Sequence, residues 1–231
     1  MITFDIITIF PKIFDSYLSE SLIARAQKKK LIKIKTHNLR DFTNDNHKTV
    51  DDRPFGGGLG MVLKVEPIYK AVQKLKAKSY KLKAKVVLFT PRGKKFNQKI
   101  AFELSKLDHI IFICGRYEGV DERVAKNIAD IEISIGDYDL MGGELPAMVS
   151  IEVISRLVPG VLGKEALLKE RITKGGGFIE YMQYTRPENF KSKGILRRGS
   201  ERQAWRVPKV LLSGDHKKIE EWKKQHRKVI E

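Results

Sequence analysis

Cysteine and long apolar runs are what this sequence has least of. Its 231 residues include one cysteine, Cys114, which excludes an intrachain disulfide and argues against a zinc site built from cysteines. No apolar run approaches the ~18 residues of a membrane-spanning helix. The opening segment Met1–Phe10 contains Asp5 and no basic residue, unlike a signal peptide, so we expect a cytoplasmic protein with no membrane partner.

Two common nucleotide-binding motifs are also absent. No G-x-G-x-x-G follows an early strand, which excludes a conventional Rossmann dehydrogenase or methyltransferase. The run Asp52–Gly58 is glycine-rich, but no Gly-Lys-Ser/Thr follows it, so it is not a P-loop. We expect a loop whose glycines let a planar ligand or a partner chain approach the backbone closely.

Acidic residues are too few to balance the basic ones. The chain has 45 Lys and Arg against 28 Asp and Glu, a net charge of +17. Such a charge predicts salt-dependent attraction to a polyanion, with nucleic acid as the leading partner and an anionic membrane surface as the rival. Residues 164–231 alone carry 18 Lys and Arg against 9 Asp and Glu, which is +9 of the +17.

Strand-like and helix-like segments alternate over the first part of the chain, which predicts an α/β fold with a mostly parallel sheet. The predicted strands are Ile2–Ile9, Ile32–His37, Val86–Thr90, Ile110–Ile113 and Ile131–Ile135. The predicted helices are Pro11–Gln27, Pro67–Lys78, Gln98–Ser105, Glu122–Ile128 and Glu144–Leu157. Because periodicity weakens after Gly163, we divide the chain into a domain over 1–163, a flexible linker over 164–190 and a small basic region over 191–231.

Several arginines cluster around one tryptophan near the end of the chain. The segment Lys191–Arg206 contains Trp205 together with Arg197, Arg198, Arg202 and Arg206. Arginine beside an aromatic ring suits phosphate contact combined with base stacking, so we interpret the segment as RNA-binding. A solvated basic tail is the alternative.

Two glycine-bracketed polar runs are the most informative feature of the sequence. Cys114–Arg123 and Ile135–Pro146 each follow a strand-like segment and lead into a predicted helix. In α/β folds, ligands bind in loops at the carboxyl ends of strands, where glycine lets main-chain groups come close. The two runs therefore predict a ligand site, although Gly142-Gly143 alone would also suit an ordinary turn.

These runs resemble those of the bacterial tRNA (guanine-37, N1)-methyltransferases, members of the knotted SPOUT methyltransferase superfamily. Further matching segments are Phe10-Pro11, Arg40–Phe42, Val50–Gly58, Ser155–Gly163, Tyr184–Pro187 and Val210–Gly214. The resemblance implies a SPOUT-type fold with a C-terminal trefoil knot and a shortened basic helical C-terminal region. It also implies S-adenosylmethionine as the methyl donor, tRNA as the partner, and a homodimer with the active site at the subunit interface. Mg²⁺ is a possible further cofactor.

The resemblance assigns the cofactor pocket to three loops. The first contributes Thr90 and Pro91, and the second contributes Gly115, Tyr117 and Gly119. The third contributes Ile135, Gly136, Asp137, Tyr138, Asp139, Leu140, Gly142, Gly143 and Pro146. In the family, main-chain groups of this third loop hold the adenine, and its paired glycines leave room for a bent cofactor.

The chemistry calls for two further groups. Guanine N1 carries a proton at neutral pH, so its methylation needs a general base at N1 and positive charge near O6. Arg156 matches the arginine of the family motif and suits the second role. The aspartate that serves as base in relatives is expected at Arg171, which cannot accept a proton. The neighbouring Glu170 is our first candidate, with Glu118 and Glu180 as alternatives.

The expected function is methylation of N1 of guanine-37 in tRNA, next to the anticodon. Two alternatives follow from the replacement at Arg171. One is a SPOUT methyltransferase of another RNA site, such as a ribose 2′-hydroxyl, which needs no base at N1. The other is a catalytically impaired RNA-binding homologue.

Overall fold

A parallel five-stranded sheet forms the centre of the first of two units, Met1–Lys169 and Glu170–Glu231. The computed structural model describes residues 1–77, 82–163, 170–173, 175–190 and 205–230. The strands of the first unit are β1 (Ile2–Thr8), β2 (Ile32–Asn38), β3 (Asp51–Asp52), β4 (Val62–Leu63), β5 (Ala84–Lys95), β6 (His109–Ile113) and β7 (Ile131–Ser134). The sheet has the order β2-β1-β6-β5-β7, while β3 and β4 form a small antiparallel pair. The predicted parallel α/β sheet is confirmed.

The helices of the first unit begin and end close to the predicted positions, with one exception. They are α1 (Asp15–Leu18), α2 (Ser21–Lys28), α3 (Val65–Ala77), α4 (Gln98–Leu104), α5 (Glu122–Asn127) and α6 (Glu144–Arg156), with 3-10 turns at Pro11–Phe14 and Leu39–Phe42. The prediction of a single helix over Pro11–Gln27 is wrong, because the helix is interrupted around Ser19. There the Ser19 hydroxyl donates to the carbonyl of Ser16 and the Gln27 amide donates to that of Leu18, so side chains replace helical hydrogen bonds.

Both faces of the sheet are covered by helices. On one face Phe4 and Phe112 stack at 6.0 Å between ring centroids and belong to a core shared with α2, α4 and α6. On the other face Ile7 and Ile111 belong to a core shared with α3 and α5. Every residue of β6 is buried, as expected for the middle strand of a doubly covered parallel sheet. Each such apolar side chain contributes about 1.5–3 kcal/mol when fully buried.

Strand β5 leaves the sheet and rejoins it. Val87–Phe89 pair with β7, and after a break Lys94 and Lys95 pair with β7 again. Between them Gly93 crosses so close to the neighbouring strand that a Cβ there would lie 2.6 Å from the backbone nitrogen of Ile133. The segment Thr90–Gly93 is therefore pushed out of the ladder at the carboxyl end of the sheet.

The second unit is small and rich in aromatic contacts. Its elements are β8 (Phe178–Glu180), β9 (Asn189–Phe190), β10 (Trp205–Arg206), α7 (Lys209–Leu212), α8 (His216–His226) and β11 (Lys228–Ile230), with β8 paired to β11 and β9 to β10. Trp222 stacks on His226 with ring centroids 4.2 Å apart, and Phe190 lies 5.5 Å from Trp205. The range predicted as a linker, 164–190, thus contains β8 and β9. Arg197, Arg198 and Arg202 lie outside the described residues.

No helix in the described part of the chain is both long enough and apolar enough to cross a bilayer.

A buried carboxylate joins three strands of the main sheet. Asp5 of β1 lies 2.6 Å from Nε2 of His37 on β2 and 2.6 Å from Nε2 of His109 on β6. Nδ1 of His109 is buried and has no hydrogen-bond partner among the described residues, so the ring is tied to the sheet through Nε2. Burial acts to raise the pKa of Asp5, but the hydrogen bonds from His109 and His37 outweigh it and hold the pKa well below its ordinary value.

We predict that Asp5→Asn lowers the free energy of unfolding by about 2 kcal/mol or more at pH 7, because it removes two hydrogen bonds to a charged acceptor. The depressed pKa of Asp5 means that its contribution is fully present above the unfolded-state pKa of about 4 and is lost as pH falls through the folded-state value. The deficit measured by urea unfolding should therefore shrink between pH 7 and pH 3. Exposed Asp15→Asn serves as the control, and a deficit independent of pH would contradict the assignment.

Candidate functional site

Three loops meet at the carboxyl ends of β5, β6 and β7 and enclose a cavity of about 360 Å³. Every residue that the sequence assigns to the cofactor pocket lines this cavity, with the exception of Asp137. Asp137 is exposed and forms an ion pair with Lys95 instead. The cavity lies entirely within the first unit.

The loop after β6 is shaped by two residues in the left-handed region and by bonds to β4. Tyr117 has a φ of 60° and Gly119 a φ of 107°. The N–H of Glu118 donates to the carbonyl of Met61 at 3.1 Å, and the N–H of Leu63 donates to that of Gly119 at 3.0 Å. These bonds hold the 115–119 wall of the cavity against a neighbouring part of the chain.

The loop after β7 folds back on itself through its own polar groups. The hydroxyl of Ser134 donates to the carbonyl of Gly136 at 2.9 Å, and that of Tyr138 donates to the carbonyl of Ile135 at 3.2 Å. A Cβ at Gly136 would collide with the Tyr138 ring, so glycine is needed for the tyrosine to lie there. The turn brings main-chain groups of residues 135–140 to the cavity surface, as a loop that binds a base through its backbone requires.

The second and third loops are in direct backbone contact. The N–H of Gly143 donates to the carbonyl of Gly115 at 3.0 Å, and a Cβ at Gly143 would lie 2.7 Å from Cα of Cys114. Cys114 is itself buried, and burial raises the pKa of its thiol well above the ordinary value. A small thiol and a glycine thus allow the two walls to approach more closely than larger residues would permit.

Two features of the lining were not predicted from the sequence. Arg116 and Glu144 form an ion pair, with Arg116 Nε 2.9 Å from Glu144 Oε2. The second cavity arginine, Arg92, pairs with Glu122 and, at 3.3 Å, with Glu132, and the hydrogen bond that Arg92 donates to Glu122 raises the pKa of the guanidinium. The sequence offered only a weak signal for these residues, since each lies inside or beside a glycine-rich run without a recognisable spacing.

The candidate catalytic residues are distributed over both units. Glu118 lines the cavity, whereas Arg156 is the exposed last residue of α6. In the second unit Glu170 is exposed, and Glu180 forms an ion pair with Arg171 at 3.2 Å. The structure therefore brings one of these four residues, Glu118, to the wall of the cavity.

Two acidic residues in and next to the loop after β7, Asp137 and Glu144, have partners within the protein. Glu144 accepts hydrogen bonds from Thr8 and Arg116, and Asp137 pairs with Lys95. Among the residues that the structure describes, no group of three or more His, Cys, Asp or Glu side chains has an arrangement that could hold a metal ion.

Comparison with known proteins identifies the family to which the chain belongs. A family model described as tRNA (Guanine-1)-methyltransferase TrmD matches residues 2–230. The chain belongs to this family of methyltransferases. The match continues past the segments on which the resemblance rests and includes nearly all of the second unit. The predicted family and enzyme class are confirmed, while the trefoil knot stays a prediction.

Individual relatives of this tRNA (guanine-1)-methyltransferase family member are similar over almost its whole length. A protein of Dictyoglomus turgidum named tRNA (guanine-N(1)-)-methyltransferase is 52% identical over 97% of this chain and 84% of its own. One of the same name from Carboxydothermus hydrogenoformans is 51% identical over 96% and 81%. The crystal structure of tRNA (m1G37) methyltransferase from Aquifex aeolicus matches with a TM-score of 0.75 and 42% identity, over 97% of this chain and 88% of that one.

We predict that Gly143→Ala destabilises the protein by about 1–3 kcal/mol, because its Cβ must displace backbone rather than a mobile side chain. Gly163→Ala is the matched control, since a Cβ there would have no neighbour within 4 Å. Chemical unfolding of the two variants measures the difference. Equal stability of the two variants would mean that the loops do not need this close approach.

Proposed function

We propose that this enzyme transfers the methyl group of S-adenosylmethionine to N1 of guanine-37 in tRNA. The observation that carries the proposal is the cavity formed by three loops at the carboxyl ends of β5, β6 and β7, in a chain matched by the family model over residues 2–230. The names of the relatives from Dictyoglomus turgidum, Carboxydothermus hydrogenoformans and Aquifex aeolicus support the same reaction. We place the enzyme and its tRNA in the cytoplasm as part of the same proposal.

The cavity suits S-adenosylmethionine in size and character. Its volume of about 360 Å³ falls in the range of roughly 300–1,000 Å³ typical of small-molecule sites. Glycine backbone lines two of its walls, and Pro91 and Pro146 supply apolar surface. We assign the adenine to the turn at residues 135–140 and the bent methionine part to the space beside Gly142 and Gly143.

In the proposed reaction the N1 lone pair of guanine attacks the methyl carbon of the sulfonium. The carbon–sulfur bond breaks and S-adenosylhomocysteine leaves, while a carboxylate takes the N1 proton. Arg156 stabilises the negative charge that develops on O6. Glu170 is the first candidate for the base. Of the two alternatives, Glu118 lines the cavity and Glu180 is paired with Arg171.

The position of Arg156 supports a homodimer with a shared site. Arg156 ends the 13-residue helix α6, which begins at the cavity with Glu144. At about 1.5 Å per residue the helix separates its two ends by roughly 18 Å. We infer that Arg156 serves the cavity of the partner protomer rather than that of its own chain.

We propose that the second unit, including the basic region over 191–231, binds the tRNA. Trp205, Arg206, Tyr184 and Trp222 belong to this unit, and the first two lie at the end of the arginine-rich segment. Basic side chains contact phosphates, and exposed rings stack on unpaired bases. Trp205 is half exposed and therefore available for such stacking.

The first test is to incubate the protein with labelled S-adenosylmethionine and unmodified tRNA, digest the RNA and identify the methylated nucleoside. We expect 1-methylguanosine at position 37, and none when guanine-37 is replaced by adenine. A ribose-methylated nucleoside would instead indicate another RNA site. Binding of the cofactor with no product would indicate an impaired homologue. Repeating the assay after dialysis against EDTA, with and without added Mg²⁺, tests whether the ion takes part.

The base assignment predicts that Glu170→Gln lowers kcat by about 100-fold or more, the usual contribution of a general base. Glu118→Gln and Glu180→Gln are the comparison variants and should lower kcat less. Arg171→Asp introduces a carboxylate where relatives have one and should restore activity to the Glu170→Gln variant. Single-turnover rates measured as a function of pH separate loss of the base from weaker binding. Normal turnover by Glu170→Gln would reject Glu170.

A further inference from the structure

A buried carboxylate at the edge of the cavity accepts hydrogen bonds from two other parts of the chain. Glu144, the first residue of α6, is 1% exposed. Its Oε1 accepts a hydrogen bond of 2.6 Å from the hydroxyl of Thr8, at the end of β1. Its Oε2 accepts one of 2.9 Å from Nε of Arg116, in the loop after β6.

The direction of these hydrogen bonds is fixed by their surroundings. The N–H of Phe10 donates to the Thr8 hydroxyl oxygen at 2.9 Å, so the hydroxyl proton is left for Glu144. The guanidinium of Arg116 also makes a cation–π contact, 4.9 Å from the centre of the Phe10 ring. Each carboxylate oxygen of Glu144 thus accepts one hydrogen bond, from a hydroxyl on one side and from a guanidinium on the other.

The ion pair passes over one of the cavity glycines. A Cβ at Gly142 would lie 2.7 Å from Glu144 Oε2 and would also meet the Arg116 side chain. The backbones of Arg116 and Gly142 form an antiparallel bridge at the same place. Arg116 and Gly142 both line the cavity, so the ion pair sets the distance between its second and third walls.

Arg116 keeps hydrogen-bonding capacity after pairing with Glu144. Nε is committed to the carboxylate, whereas Nη1 and Nη2 make no hydrogen bond to another described residue. The other arginine in the lining, Arg92, is paired with both Glu122 and Glu132. Arg116 therefore keeps four of its five N–H donors for a ligand, whereas Arg92 keeps three and is bound to two carboxylates.

We propose that Glu144 is a positioning residue for the cofactor, which acts by holding Arg116 and the 115–119 wall in the geometry that binds S-adenosylmethionine. The proposal rests on S-adenosylmethionine being the ligand of the cavity. Thr8 takes part by fixing the other oxygen of the carboxylate. Glu144 itself does not touch the reacting atoms.

The decisive experiment measures the Kd for S-adenosylmethionine by calorimetry in the wild type and in Glu144→Gln. The amide keeps the volume of the side chain but has no charge and only one oxygen, so the ion pair with Arg116 is lost and Thr8 and Arg116 can no longer both donate to oxygen. We expect the Kd to rise at least about tenfold, as for loss of a hydrogen bond to a charged group. Glu152→Gln is the matched control on the same helix, because it also weakens a carboxylate hydrogen bond, to Tyr17, which unlike Arg116 does not line the cavity.

Arg116→Lys and Arg116→Met distinguish positioning from general stability. Both should raise the Kd, since lysine keeps the charge but has no Nε, and the double variant Glu144→Gln with Arg116→Met should bind no more weakly than Arg116→Met alone. A melting temperature well above that of the assay confirms that each variant is folded. If Glu144→Gln fails to fold, Arg116→Lys decides the question.

A wild-type Kd in Glu144→Gln or, where that variant does not fold, in Arg116→Lys would overturn the positioning role. A rise of equal size in Glu152→Gln would overturn it as well. Failure of the wild type itself to bind S-adenosylmethionine would instead overturn the proposed function, so the two failures are distinguishable.

Discussion

The close backbone contact between Gly143 and the residues Cys114 and Gly115 is the constraint on which the site depends. It joins the end of the middle strand β6 to the start of α6 and thereby sets the width of the cavity between them. All three residues are buried, so the sheet and the cavity share one packed framework. A wall built in this way presents main-chain groups at fixed positions, which suits recognition of a ligand whose shape varies little.

Charged residues near the cavity are paired, whereas the chain as a whole has an excess of basic residues. Close to the cavity, both lining arginines are paired with carboxylates, Arg92 with Glu122 and Glu132 and Arg116 with Glu144. Over the whole chain, basic residues exceed acidic ones by 17. These pairs keep the cavity from being dominated by cationic charge, while the surplus of basic residues remains for a polyanionic substrate.

The sequence predicted the parts of the fold that follow from periodicity and from glycine. The strand at Ile110–Ile113 was predictable because a fully buried strand is continuously apolar, and the loops were predictable because Gly115, Gly119, Gly142 and Gly143 lie in two runs that each follow a strand-like segment. Other features depend on contacts between distant residues and leave no local pattern. The return of β5 after Phe89 and the pairing of Glu144 with Thr8 are of this kind.

The return of β5 to the sheet has a consequence for how a ligand enters. The segment Thr90–Gly93 is tethered on both sides, by the pairing of Phe89 with Ile133 before it and of Lys94 with the same residue after it. Because both ends of this short segment are paired with β7, we expect it to form a rigid wall of the cavity. Exchange of a ligand is then expected to depend on the turn that carries Tyr138 and Met141, whose side chains are 56% and 87% exposed, so residues of this turn would set the rate at which a product leaves.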